Sequence, residues 1–253
     1  MGKLIVRIAS LLLIAAFLPT AVLAAEWNLE NGSIEITATA NAEGGTTQTV
    51  SQGGSSAEDS NPTITSNGNQ TGNTVIIKAG KDTTANVTIK DTNIRTGGTA
   101  IKTEGKGNVN LNVEGTNNVT SGVYHAGVEK SNEGNLTIGS ESGEGELTAN
   151  GGHGGAGIGG GYKGSGSDVT ISKDSRVEAT GGDPCLLGGY GAAIGGGGYN
   201  TDTGNQVDGS EIEPDTSGLY TTGKVERVSG DGTVLETITG TVEPPVEPEK
   251  STA

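Results

Sequence analysis

Four tyrosines, Tyr124, Tyr162, Tyr190 and Tyr199, occupy related places in the sequence and are the side chains best suited to holding a ligand. Tyr162 follows one Gly-Gly-Gly run and Tyr199 follows a later run of four glycines. Tyr124 and Tyr190 each precede an alanine by two positions. Rings set along one side of a molecule can stack on sugar faces while neighbouring Asn and Thr bond the hydroxyls. The competing role is shielding of glycine-rich turns. Catalytic chemistry has less to work with. No Asp-Asp pair occurs, whereas glycoside hydrolysis needs one carboxyl to donate a proton and another to activate water. Lys90, Asp91, Glu104, Glu114, Glu129 and Lys130 could share a face, yet dispersed exposed charges serve solubility. No Asp-x-Asp-x-Asp loop is present for calcium, so no cofactor is expected; weak calcium binding by surface carboxylates stays open.

Short strands must position these residues. The patterns Asn86-Val-Thr-Ile89, Asn108-Val-Asn-Leu111, Asn135-Leu-Thr-Ile138 and Asp168-Val-Thr-Ile171 alternate apolar and polar residues. Their starts lie 22, 27 and 33 residues apart, within the roughly 20–45 residues of one solenoid repeat. A second apolar element follows each, at Ile94, Val119, Leu147 and Val177, and a third at Ile101, Val128, Ile158 and Ile194. Three short strands per turn predict an all-β chain wound as a single-stranded parallel β-helix, with Thr88, Asn110, Thr137 and Thr170 aligned outside. Residues 40–72 read as thin early coils with long loops. Trp27, in the first strand, is either a cap on the open first coil or a sugar platform.

The segment 1–24 reads as a signal peptide: Lys3 and Arg7, an apolar stretch from Ile8 to Leu18, then Val22-Leu23-Ala24 before a mature start at Ala25. Export follows, with no membrane insertion after cleavage. Cys185 is the sole cysteine, so no internal disulfide is possible, and its Leu186 and Leu187 neighbours suit a small buried residue. Without Lys3 and Arg7 the chain carries 13 basic and 30 acidic residues, a net charge of −17. That charge excludes nucleic acid and anionic membranes as partners. The expected organisation is a signal peptide over 1–24, a β-helix over 25–204, a cap or short β segment over 205–240 and a Pro/Glu-rich tail over 241–253.

Trp27-Asn-Leu-Glu-Asn-Gly-Ser-Ile-Glu-Ile36, Asn86-Val-Thr-Ile-Lys-Asp-Thr-Asn-Ile94 and the paired segments Gly154–Gly161 and Gly191–Gly198 together resemble bacterial secreted or cell-surface right-handed parallel β-helix proteins with repeated G-A-G-I-G-G-G. The likeness covers about residues 26 to 200. It implies a right-handed coil and a surface-polysaccharide context, shared by pectin-active enzymes and by non-catalytic carbohydrate-binding domains. The hydrolases of that shape carry Asn-Thr-Asp, paired Asp, Gly-His-Gly and Arg-Ile-Lys in order. Here Gly152-His153-Gly154 precedes Asn200-Thr201-Asp202, and the other two motifs are missing. The expectation is therefore a non-catalytic, secreted or cell-surface module that binds a glycan or adheres. A structural stalk and a polysaccharide lyase or hydrolase are the alternatives.

Overall fold

The computed structural model describes residues 25–143, 145–184 and 188–245; segment 1–24, Cys185 and the end of the tail lie outside the described residues. The fold is all-β. Three long, mainly parallel sheets of six, eight and seven strands hold most of the chain, with a single 3-10 turn at Leu29–Asn31 and no α-helix among the described residues. Successive strands are dealt to the sheets in rotation. Thr84–Lys90 lies in the first sheet, Asn93–Arg95 in the third, Ile101–Gly105 in the second, and Asn108–Glu114 returns to the first beside Thr84–Lys90. The same circuit recurs through Thr116–Thr120, Val128–Lys130 and Leu136–Ser140, and again through Glu146–Asn150, Ile158–Gly159 and Val169–Lys173. Adjacent strands in such ladders sit about 4.8 Å apart.

Alternation along each strand sends one set of side chains inward. Ile34, Val75, Ile101, Val128, Ile158 and Ile194 are paired in unbroken register across the second sheet, and all are buried. Val87, Leu111, Ile138 and Ile171 form the matching inward row of the first sheet. These rows meet in one hydrophobic cluster that runs the length of the molecule. A fully buried Ile or Leu contributes about 1.5–3 kcal/mol, so each rung is held by a handful of such residues.

Two details differ from the sequence expectation. Asn86 pairs with Asn110, not Asn108, so the first two strand motifs are offset by two residues; Leu111 lies beside Val87. Side chains repeat every two residues along a strand, so this slip keeps every residue on its expected face and the motif cannot reveal it. Likewise Val119 sits beside Ala149, while Leu147 faces Asn117, a fully buried amide that donates to the Glu114 and Glu146 carbonyls and accepts from the Thr92 amide. Second, part of 40–72 is not a set of parallel coils. Thr46–Gln52 runs antiparallel to Ile34–Ala40, and Ser55–Glu58 runs antiparallel to Thr46–Gln52. The Asn41–Gly45 turn, closed by the Asn41 side chain, is too short for a crossover and reverses the chain instead.

The inward row Ile36, Ile77 and Thr103 ends on Lys130, which is 6% exposed and donates from Nζ to the Asn132 carbonyl at 2.9 Å. Burial pushes its pKa below the ordinary lysine value, with Asp168 pulling it back up. A lysine that loses basicity on folding costs stability while it is charged in both states. That cost fades as pH rises from the folded pKa to the unfolded one. Lys130→Met is therefore expected to raise the melting temperature at pH 7. The gain should shrink toward pH 10.5, and melting curves across that range check it.

At the far end, Lys224–Val228 continues the third sheet in parallel and Val234–Thr239 folds back antiparallel on it. The two form an antiparallel pair at the edge of the third sheet. Glu211 closes the second sheet: its Oε1 accepts the Ala193 amide at 2.6 Å, and its Oε2 takes Arg227 Nη2 at 2.7 Å. Arg227 Nη1 reaches Glu236 at 2.6 Å.

Candidate functional site

The outward side chains of the first sheet form two rows. One is Asn86, Asn110, Thr137 and Thr170; the other is Thr63, Thr88, Asn112, Gly139 and Ser172. Of the four residues expected to align, Asn110, Thr137 and Thr170 do, while Thr88 belongs to the neighbouring row because of the two-residue offset. The amides bond along the stack. Asn110 Nδ2 donates to Asn86 Oδ1 at 2.9 Å, and Asn112 Nδ2 to Thr88 Oγ1 at 3.3 Å. Gly139 contributes no side chain, and the gap beside it opens a groove of about 440 Å³. Asn86, Asn110, Asn112, Thr137, Ser172 and Lys173 border it. Lys173 bears an ion pair with Glu141, so its charge is spent at the groove's margin. What remains is an open channel of neutral donors and acceptors crossing four consecutive strands, suited to a polymer of hydroxyl groups.

The tyrosines lie elsewhere, at the glycine-rich corner. Tyr124 and Tyr162 meet edge to face, with centroids 4.9 Å apart and planes at 61°. The Tyr162 hydroxyl accepts the Asn200 amide at 3.3 Å, and the Lys163 ammonium lies 5.6 Å from the Tyr162 ring centre. Tyr199 opens a small antiparallel ladder, Tyr199–Asn200 with Gln206–Val207. Lys163 and Tyr199 both border a recess of about 280 Å³ backed by glycine backbone, and an adjoining open one of about 500 Å³ that includes Asn200, Thr201 and Asp202. Tyr190 is 38% exposed, and Asp208 holds its amide. The fold thus joins Tyr124 to Tyr162 and brings the Tyr199 segment against Tyr162. In two of the four, ring surface is turned to a protein neighbour.

Trp27 is half-buried against the core and donates its indole N–H to Asp59 at 3.0 Å, the geometry of a cap. His153 is exposed, as expected of a loop residue. The other histidine, His125, carries no motif in the sequence. His125 Nδ1 lies 2.8 Å from Thr99 Oγ1 and 3.0 Å from Glu129 Oε2. A hydroxyl nucleophile needs the carboxylate on the opposite ring nitrogen. Here both partners crowd one nitrogen, so the trio cannot relay a proton from Thr99 to Glu129. Lys102 completes the cluster: its hydrogen bond to Glu104, aided by Glu129, raises its pKa despite partial burial. Arg227 gathers Glu211, Glu236 and, at 4.0 Å, Glu213, but it is 7% exposed and serves the cap. Among the described residues no group of three His, Cys, Asp or Glu side chains is placed to hold a metal ion.

No protein-family model, curated protein or solved structure matches the chain.

Among the described residues no helix is long and apolar enough to cross a membrane. Sequence reasoning missed Asn86, Asn112, Ser172 and Lys173 as a group because the groove is made by neighbours 24 to 33 positions apart. The alternating amides in Asn108-Val-Asn-Leu-Asn112 were the one local signal.

Proposed function

We propose that this chain is an exported, non-catalytic surface module, a single-stranded right-handed parallel β-helix that binds a polysaccharide. The observation that supports it is the groove on the first sheet. Its amides and hydroxyls repeat at the spacing of the rungs, and its floor carries no unpaired charge. Such a surface favours a neutral glycan laid across the strands, since the acidic chain repels acidic polymers. Tyr199 and Lys163 supply a second contact at the glycine-rich corner, with Tyr124, Tyr162 and Tyr190 around it. The strand rotation and the inward rows support the coil; the right hand rests on the likeness of the glycine segments.

Affinity electrophoresis against neutral and uronate-containing polysaccharides, with and without calcium, tests this. Asn110→Ala with Asn112→Ala is expected to weaken retention on a neutral glycan about thirtyfold, from the loss of two hydrogen bonds worth about 1 kcal/mol each. Tyr162→Ala with Tyr199→Ala should weaken it separately. Retention unchanged in both pairs discards the binding role and leaves the stalk. Release of reducing ends or unsaturated products would instead mark an enzyme.

A further inference from the structure

Asp59 is 3% exposed, yet no basic side chain among the described residues pairs with it. Its Oδ1 accepts the Asn61 amide at 3.1 Å. Its Oδ2 accepts the Trp27 indole at 3.0 Å and the backbone nitrogen of Ala25, also at 3.0 Å. Buried carboxylates are rare unless paired, because desolvating the charge is costly and neutral donors return only part of that cost. The nitrogen that could supply the missing charge is already in contact. Ala25 itself is exposed, and its carbonyl is fixed by the Thr63 amide at 3.1 Å, as the strand Glu26–Asn28 pairs with Thr63–Thr65.

We infer that removal of the leader completes this site: cleavage between Ala24 and Ala25 turns the nitrogen held by Asp59 into the cation that the carboxylate lacks. Water breaks the Ala24–Ala25 amide. Its oxygen goes to the Ala24 carbonyl carbon, and the acid so formed yields its proton to the Ala25 amine, giving one carboxylate on the leader and one ammonium on the mature chain. Before cleavage the carboxylate accepts from a neutral amide; afterwards the same nitrogen is an ammonium, and the hydrogen bond becomes an ion pair. Asp59 thereby ties the mature amino terminus and Trp27 to the first rung. The fold is more stable after processing than before it, so release from the leader and closure of the coil's open end are one event. This rests on the signal-peptide reading of 1–24 and not on the glycan reading.

Four proteins test it: the mature chain beginning at Ala25, the same chain with Gly-Ser ahead of Ala25, and both with Asp59→Asn. The Ala25 amino terminus is expected to melt several degrees higher than the extended form, and Asp59→Asn should remove that difference. Equal melting of the first two, or a difference that survives Asp59→Asn, overturns the proposal. Should Asp59→Asn fail to fold, acetylation of the native mature chain is read by mass. The α-amine should react at least tenfold more slowly than in a short Ala-Glu-Trp peptide, and an equal rate overturns the pairing. Loss of glycan retention would leave all of these results untouched.

Discussion

Gly191→Ala is expected to lower the melting temperature by on the order of 10 °C, the effect of about 3 kcal/mol on a chain of this size. A Cβ at this position would stand 1.8 Å from the Gly155 carbonyl oxygen and 2.3 Å from its carbon. Both are backbone atoms of the adjacent rung, so no flexible side chain can swing away. Gly155 is pinned in turn, with its own Cβ position 2.0 Å from the His125 carbonyl oxygen. Relief at one level therefore presses on the next. The repeated glycines are thus a column of backbone packed on backbone, and any side chain there separates two rungs. Gly98, where a Cβ would meet nothing within 4 Å, supplies the control. Gly98→Ala should change stability by no more than about 0.5 kcal/mol. Thermal melts of the two variants, followed by circular dichroism, make the comparison.

Arg227→Ala should cost a similar amount, about 3 kcal/mol, and the damage should begin at the C-terminal end. Its side chain is 8% exposed, and the guanidinium spans Glu211 at 2.7 Å and Glu236 at 2.6 Å. Burial opposes its charge, but the bonds to Glu211 and Glu236 more than offset that and hold its pKa above the ordinary value. Glu211 also receives the Ala193 and Ile194 amides, so Arg227 holds the group that seals the last strand of the second sheet. Its Nε is buried without a partner, which subtracts from what the cluster contributes and keeps the estimate at the lower end for a buried ion pair. Arg227→Lys should recover less than half of the loss, because one ammonium cannot reproduce a planar fork between two carboxylates. Hydrogen exchange is the sharper measurement. Amides of Ile194–Gly195 should lose protection first, while those of Thr84–Lys90 keep theirs. Uniform loss along the chain would show that the cluster does not act as a local clasp.

Much of this architecture could be read from the residues alone, and the reason is visible in particular rows. Ile101, Val128, Ile158 and Ile194 can be aligned from the residues because each stands one or two positions after an alanine, and the pairing places all four in one register. Strand motifs lack such an anchor. Asn86-Val-Thr-Ile89 and Asn108-Val-Asn-Leu111 look alike but pair two residues out of step, since a shift by one full side-chain period exposes nothing apolar. Antiparallel pairing over 46–58 was hidden because Thr, Ser and Gln suit either direction. The groove was hidden for a different reason. It depends on which outward residues become neighbours across rungs, and Gly139 matters there by what it lacks. The tyrosines were found by type and spacing, but spacing could not show that Tyr124 and Tyr162 would face each other.

The inward row of the second sheet carries one further meaning. Val75, Ile101, Val128, Ile158 and Ile194 are chemically near-equivalent, and each is paired in register with its counterpart on the neighbouring strand. A level can therefore be excised or duplicated whole, and the surfaces left facing each other still match in shape and hydrogen bonding. Length in such a molecule is a freely adjustable quantity, set by the gain or loss of entire storeys, whereas a single added residue inside one strand throws its ladder out of phase.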